Sequence, residues 1–178
     1  MKTDPYASGV LDKTVHARMV ADLEGVAAAA NIQPYWIWTP LAETCAPIEV
    51  EWVKRFRFHA GERIAGLCYV GPDPDPEIET RMAAIAGALT RNFICARVMT
   101  VNELLAVAQD GGAPDMSCLL VPNFFVEKTR GPGTAQWRVS ALLDVLIYRQ
   151  AQGLQTVLYA SDLEALALRD TARPSNAT

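Results

Sequence analysis

Four short apolar runs punctuate the chain, and a helical segment follows each of them. The runs are Ile64 to Val70, which ends at Gly71 and reads as a buried strand; Phe93 to Met99; Cys118 to Val121, which is stopped by Pro122; and Thr156 to Tyr159. After the first, Ile78, Met82, Ile85 and Leu89 recur three or four residues apart and mark one face of a helix. Val101 to Ala108 is a second helix, Gln136 to Gln152 a long one closed by Gly153 at its C-cap, and about Asp162 to Arg169 a short last one. The Cys118 run has no polar alternation, as expected of a strand covered on both faces. Strands alternating with helices imply parallel strands joined by right-handed crossovers. The predicted fold is therefore α/β: a three-layer sandwich around a mainly parallel sheet of four to five strands. Such sheets hold ligands outside the carboxyl ends of their strands. Here those ends are Gly71 to Glu77, Thr100, Pro122 to Glu127 and Ala160 to Asp162.

The rest of the chain is arranged around this core. Leu11, Val15, Met19, Leu23 and Val26 predict one amphipathic helix over residues 11–30. Asn31 to Pro47 mixes proline with tryptophan and has no period, so it reads as an ordered loop packing Tyr35, Trp36 and Trp38 onto the domain. Residues 48–57 fit either a short helix or a strand. The expected organisation is an N-terminal helix and entry segment over 1–47, a core over 48–170 and a polar, frayed tail over 171–178.

Composition narrows the function classes. With 178 residues, 51% of them hydrophobic and 20% charged, the chain matches one globular domain that needs no metal or disulfide staple. A net charge of −4 argues against a globally basic nucleic-acid binder and leaves room for a local basic patch. No apolar run approaches the roughly 18 residues needed for a membrane span, and Met1 to Pro5 lacks the apolar stretch of a secretory signal. Cys45, Cys68, Cys95 and Cys118 stand more than twenty residues apart with no C-x-x-C pair, and only His16 and His59 could join them as ligands. No metal site, four reduced thiols, no membrane association and a cytoplasmic location are expected.

The loop after the first strand, Gly71-Pro72-Asp73-Pro74-Asp75-Pro76-Glu77-Ile78, has the place and length of a P-loop, G-x-x-x-x-G-K-[ST]. Only Gly71 fits. Pro76 stands for the second glycine, Glu77 for the lysine and Ile78 for the hydroxyl residue that holds magnesium. A P-loop cradles phosphate with consecutive backbone N–H groups, which Pro72, Pro74 and Pro76 lack. In structural terms, Asp75 suits an N-cap, Pro76 the first helical position, and Glu77 and Glu79 the positive end of the helix dipole. A divalent cation is the alternative occupant of so acidic a loop.

The stretch from Leu119 to Arg169 resembles the AAA+ ATPases of the replicative helicase-loader and transposon-helper type. Glu127 and Lys128, Trp137, Arg149, Gly153-Leu154, Thr156 and Ser161 stand at positions matching that family's pattern, and AANIQPYWIWTPL resembles its entry segment. The resemblance implies a P-loop-type core. It also marks departures: Pro122 and Asn123 replace the Walker B aspartates, Asp162 replaces the sensor asparagine, and the sequence stops soon after Arg169, before the family's arginine finger and C-terminal sensor. The family's helicase-binding N-terminal domain is also missing. The implied function is that of a non-catalytic relative, a pseudo-ATPase without cofactor. It would bind another protein (a helicase, an active ATPase or a second copy) in DNA replication, transposition or a mobile-element process.

Two further classes stay open. One is an ATPase with an unconventional loop. The other is a small nucleic-acid-binding module using Lys54, Arg55, Arg57 and Arg63, which are interleaved with Trp52, Phe56 and Phe58. On the carboxyl edge, Phe124 and Phe125 either cap the core or anchor a partner, and Lys128 and Arg130 add basic charge there. A serine hydrolase is not supported, because Ser117, Ser140 and Ser161 lie in no G-x-S-x-G elbow. No G-x-G-x-x-G follows a strand, so a dinucleotide site is not supported either.

Overall fold

A computed structural model describes residues 4–71, 75–125 and 136–160, with the backbone alone for 125, 136 and 137. Four strands, β1 (Gly66–Val70), β2 (Ala96–Val98), β3 (Cys118–Phe125) and β4 (Gln155–Ala160), form one sheet in the order β1-β4-β3-β2. Every pairing is parallel, with Gly66 opposite Thr156, Ala96 opposite Cys118, and Cys118 opposite Gln155. The helices are α1 (Ala17–Ala21), α2 (Leu23–Ala30), α3 (Pro47–Lys54), α4 (Ile78–Arg91), α5 (Val101–Gln109) and α6 (Gln136–Ala151).

Strand periodicity sorts the core into two halves. Cys118, Leu120, Val157 and Tyr159 meet Ile78, Met82, Ile85 and Leu89 of α4 on one face of the sheet. Leu119 and Val121 meet Leu104 and Leu105 of α5 and Leu142 and Val145 of α6 on the other. The architecture is thus a three-layer α/β sandwich with an all-parallel sheet, consistent with a P-loop-like core. Among the described residues no helix is long and apolar enough to cross a membrane.

Several expectations are corrected. The strand begun at Cys118 does not stop at Pro122 but runs to Phe125. Pro122 lies two residues past Leu120, the last β3 residue paired with β2, and inside the irregular stretch of the β4 ladder between Val121 and Phe125. A missing N–H therefore breaks no regular ladder bond. The first strand starts at Gly66 rather than Ile64 and is not buried: as an edge strand it leaves Cys68 and Val70 exposed. Gly66 is required there, because a Cβ would lie 1.7 Å from the Thr156 carbonyl oxygen. The second strand is only Ala96–Val98, since Asn92 to Ile94 turn out of α4.

Residues 48–57 are helical, with α3 followed by a 3-10 turn at Phe56–Phe58. The helix expected over 11–30 is two short ones, broken at Asp22, whose carboxylate accepts the Gly25 N–H. The entry segment contains 3-10 turns at Pro34–Ile37 and Leu41–Glu43, with Trp36 and Trp38 half-buried and Tyr35 exposed. It packs so closely on α4 that a Cβ on Gly87 would lie 2.3 Å from the Trp36 carbonyl oxygen.

Arg149 holds the amino end of the sheet together. Its side chain is fully buried near the end of α6. Nε donates to Thr156 Oγ1 at 3.0 Å, Nη1 to the Pro114 carbonyl at 2.6 Å, and Nη2 to the Met116 and Gln155 carbonyls at 3.1 and 2.6 Å. Replacing Arg149 by methionine should cost about 3 to 5 kcal/mol, because buried acceptors lose a charged donor with nothing in its place. Lysine, a point charge without the planar fork, should recover less than half of that loss. Urea denaturation of the two variants measures both values.

Candidate binding rim at the carboxyl ends of the strands

β1 leads into Gly71, whose N–H bonds the Ala160 carbonyl at 3.3 Å and so closes the end of the β1–β4 ladder. A Cβ at Gly71 would approach Tyr159 Oη to 3.2 Å and Asp75 Oδ2 to 3.6 Å. Asp73 lies outside the described residues. Asp75 is not the N-cap and Pro76 is not the first helical residue: the N-cap is Glu77, and α4 begins at Ile78. Asp75 instead accepts the Glu77 N–H at 2.9 Å, a local turn that uses its carboxylate before the helix starts. Glu77 is paired with Arg81 one turn on, at 2.7 Å, and that pairing raises the Arg81 pKa. Ile78 is buried under the sheet. The helix end that could face a phosphate thus carries the protein's own carboxylates, and the position of a magnesium-binding hydroxyl is a core residue.

The next helix end is closed as well. Thr100 and Glu103 form a reciprocal cap on α5: Thr100 Oγ1 accepts the Glu103 N–H at 3.2 Å, and Glu103 Oε2 accepts the Thr100 N–H at 2.6 Å. These bonds to Thr100 hold the Glu103 carboxyl below its usual range. Asn123 Oδ1 accepts the Val101 N–H at 2.9 Å, so its side chain serves the start of α5. Pro122 is buried, and Phe124 is half-buried against the α5–α6 side of the core. Phe125 pairs with Ala160 in the sheet. Lys128, Arg130 and Asp162 lie outside the described residues.

Between these ends and the entry segment opens a cleft of about 430 Å³, lined by Asn31, Gln33, Trp36, Glu79, Thr100 and Pro122 among others. Asn31 caps α2 in the left-handed conformation and donates from Nδ2 to the Val98 carbonyl at 2.9 Å, fastening the segment to the end of β2. Among the described residues, Glu79 is the only charged one lining the cleft. Sequence reasoning missed this wall. Its one local signal was an asparagine directly after a helical segment.

A buried polar cluster beneath α4 was also missed. Glu49 is 3% exposed and accepts hydrogen bonds from the Tyr69 hydroxyl and the Ala46 N–H. Burial, reinforced by Glu49, pushes the Tyr69 hydroxyl well above its usual range and the Cys45 thiol up to about 12. Neither is a nucleophile at neutral pH. Cys45 and Cys118 are buried, Cys68 and Cys95 exposed, and all four are free. Among the described residues no group of three or more His, Cys, Asp or Glu side chains could hold a metal ion.

The basic segment lies at the opposite end of the sheet. Lys54 is 4.0 Å from Glu51, Arg55 is paired with Glu62, and Arg57 donates to the Asn92 carbonyl at 3.2 Å. Trp52, Phe56 and His59 turn inward and pack ring against ring, with Trp52–Phe56 and Trp52–His59 centroids 5.3 and 5.2 Å apart.

Tyr69→Phe should lower stability at neutral pH by about 1.5 to 3 kcal/mol, because buried Glu49 loses a donor. Because the hydroxyl's pKa is raised in the folded state, its contribution is fully present below the unfolded value near 10 and is lost as pH rises beyond it. The variant should therefore show a shallower alkaline decline than the wild type in denaturation series from about pH 7 to 11, which spans that unfolded value. No family model, no curated protein and no solved structure matches this chain.

Proposed function

We propose that the protein is a non-catalytic relative of the helicase-loader-type ATPases that works by binding a partner protein at the carboxyl rim, without nucleotide. One observation carries this reading: Glu77, in the place of the phosphate-binding lysine, is tied to Arg81 at the start of α4, with Asp75 bonded to the Glu77 N–H. A nucleotide phosphate there would meet like charge, at about 1 to 4 kcal/mol per pair at 4 Å. Among the described residues, the adjoining cleft adds Glu79 and no cation. The same cleft, with a half-buried tryptophan and amide side chains, has the apolar-and-polar mix of a protein-binding surface. By the family resemblance, the partner is a helicase, an active ATPase or a second copy, in DNA replication, transposition or a mobile-element process. The free cysteines favour a reducing, cytoplasmic setting.

Thermal melting with and without millimolar magnesium-ATP tests the reading. A nucleotide at a hundred times its dissociation constant would add about 2.7 kcal/mol and raise the melting temperature visibly. No shift is expected for the wild type or for Glu77→Lys, because a single lysine does not rebuild the phosphate cradle. A rise of several degrees in the wild type would overturn it.

A further inference from the structure

We propose that the amino end of the sheet carries a second binding site, for single-stranded nucleic acid, built on Arg57, Arg63 and Phe93. It lies at the other end of the strands from the rim and does not rest on the function proposed there. The first observation concerns the backbone. Three non-glycine residues among those described have positive φ: Asn31 (55°), Arg63 (58°) and Phe93 (60°). Asparagine adopts this conformation readily, whereas for arginine and phenylalanine it is costly. Phe93 occupies the position after the α4 cap where glycine is favoured: its N–H bonds the Thr90 carbonyl at 2.9 Å, and the Ile94 N–H bonds that of Leu89 at 3.0 Å. Burial does not offset the strain, since Phe93 is 61% exposed. Strain of this kind persists at sites that use it.

The second observation is where these residues meet. Phe93 and Arg57 line a hollow of about 460 Å³. Arg63 lines a neighbouring one of about 230 Å³, and the two share Ala60, Gly153, Leu154 and Gln155. The fold thus brings Phe93 from the end of α4 beside a basic segment thirty residues earlier. The Phe93 ring lies parallel to His16, 5.5 Å away, which fixes its plane.

The third observation is charge. Among the described residues neither Arg63 nor Arg57 has an acidic partner, and Arg57 donates to the Asn92 carbonyl. Glu62, the neighbour of Arg63 in sequence, is paired with Arg55. Phe58, 66% exposed, adds another aromatic surface on the same segment. Arginines that attract a phosphate backbone, beside fixed and exposed aromatic rings, suit unpaired bases, which offer faces for stacking where a duplex does not. A free nucleotide offers the same base and phosphate chemistry but engages one hollow rather than two.

The test is fluorescence anisotropy of the full chain with a labelled single-stranded oligonucleotide, competed by its duplex and by a mononucleotide. The single strand is expected to bind, to weaken as salt rises, and to outcompete both rivals at least tenfold. Phe93→Gly and Arg63→Gly, which relieve the backbone, should melt no lower than the wild type while each weakens binding about tenfold or more. Phe93→Tyr, which keeps a ring, should bind like the wild type. Absence of binding, equal affinity for duplex, equal affinity for the mononucleotide, unchanged binding by Phe93→Gly, or a Phe93→Gly variant that melts well below the wild type would each overturn the proposal.

Discussion

The buried guanidinium of Arg149 is the fixed point from which the rest of the sheet is built. It reaches from the last turns of α6 to the chain entering β3, at Pro114 and Met116, and to the start of β4, at Gln155 and Thr156. Neutral carbonyls, a hydroxyl and the Met116 sulfur accept its hydrogen bonds, and burial lowers its pKa. A cation held by backbone carbonyls accepts little displacement of any of them, so the relative height of β3 and β4 is set there. Gln155 extends the clamp to β1 by donating from Nε2 to the Ile64 carbonyl at 2.6 Å, and the Thr156 N–H adds a bond to Ala65 at 2.9 Å. Because all strands are parallel, fixing their amino ends also fixes the heights at which their carboxyl ends emerge.

At the carboxyl rim, the protein has used its helix ends for itself. The positive ends of α4 and α5 are answered by Asp75, Glu77, Glu103 and Asn123, whose hydrogen bonds stay within the rim's own segments. The dipole that attracts phosphate elsewhere is therefore matched locally. The rim keeps a cleft, walled by the entry segment through Asn31 and Trp36. At the amino end, Arg57 and Arg63 have no acidic partner among the described residues and stand beside aromatic rings. The bound partners proposed for the two ends differ in kind.

Much of the core was legible from the sequence because periodicity reports burial directly. Ile78, Met82, Ile85 and Leu89 form the inner face of α4, and the run from Cys118 to Val121 lies between two helical layers with every side chain buried. What failed were features decided by neighbours distant in the chain. The run ending at Val70 reads as buried, yet its strand order places it at an edge with Cys68 and Val70 in solvent. Pro122 reads as a stop, yet it falls where no ladder needs its N–H. Asp75 and Pro76 read as cap and first turn, yet the turn closes two residues later, at Glu77. The left-handed backbone of Arg63 and Phe93 had no sequence signal, since neither residue type favours it.

The central claim is that binding at this fold has moved from the phosphate position to surfaces the protein builds elsewhere. Amide-resolved NMR of isotope-labelled protein tests it in a single titration series, with magnesium-ATP added first and a single-stranded oligonucleotide second. The account predicts that ATP leaves the amides of Gly71, Glu77 and Ile78 unmoved, while the oligonucleotide shifts those of Arg57, Arg63, Phe93 and their neighbours. Saturable ATP-induced shifts centred on Gly71 to Ile78 would contradict it.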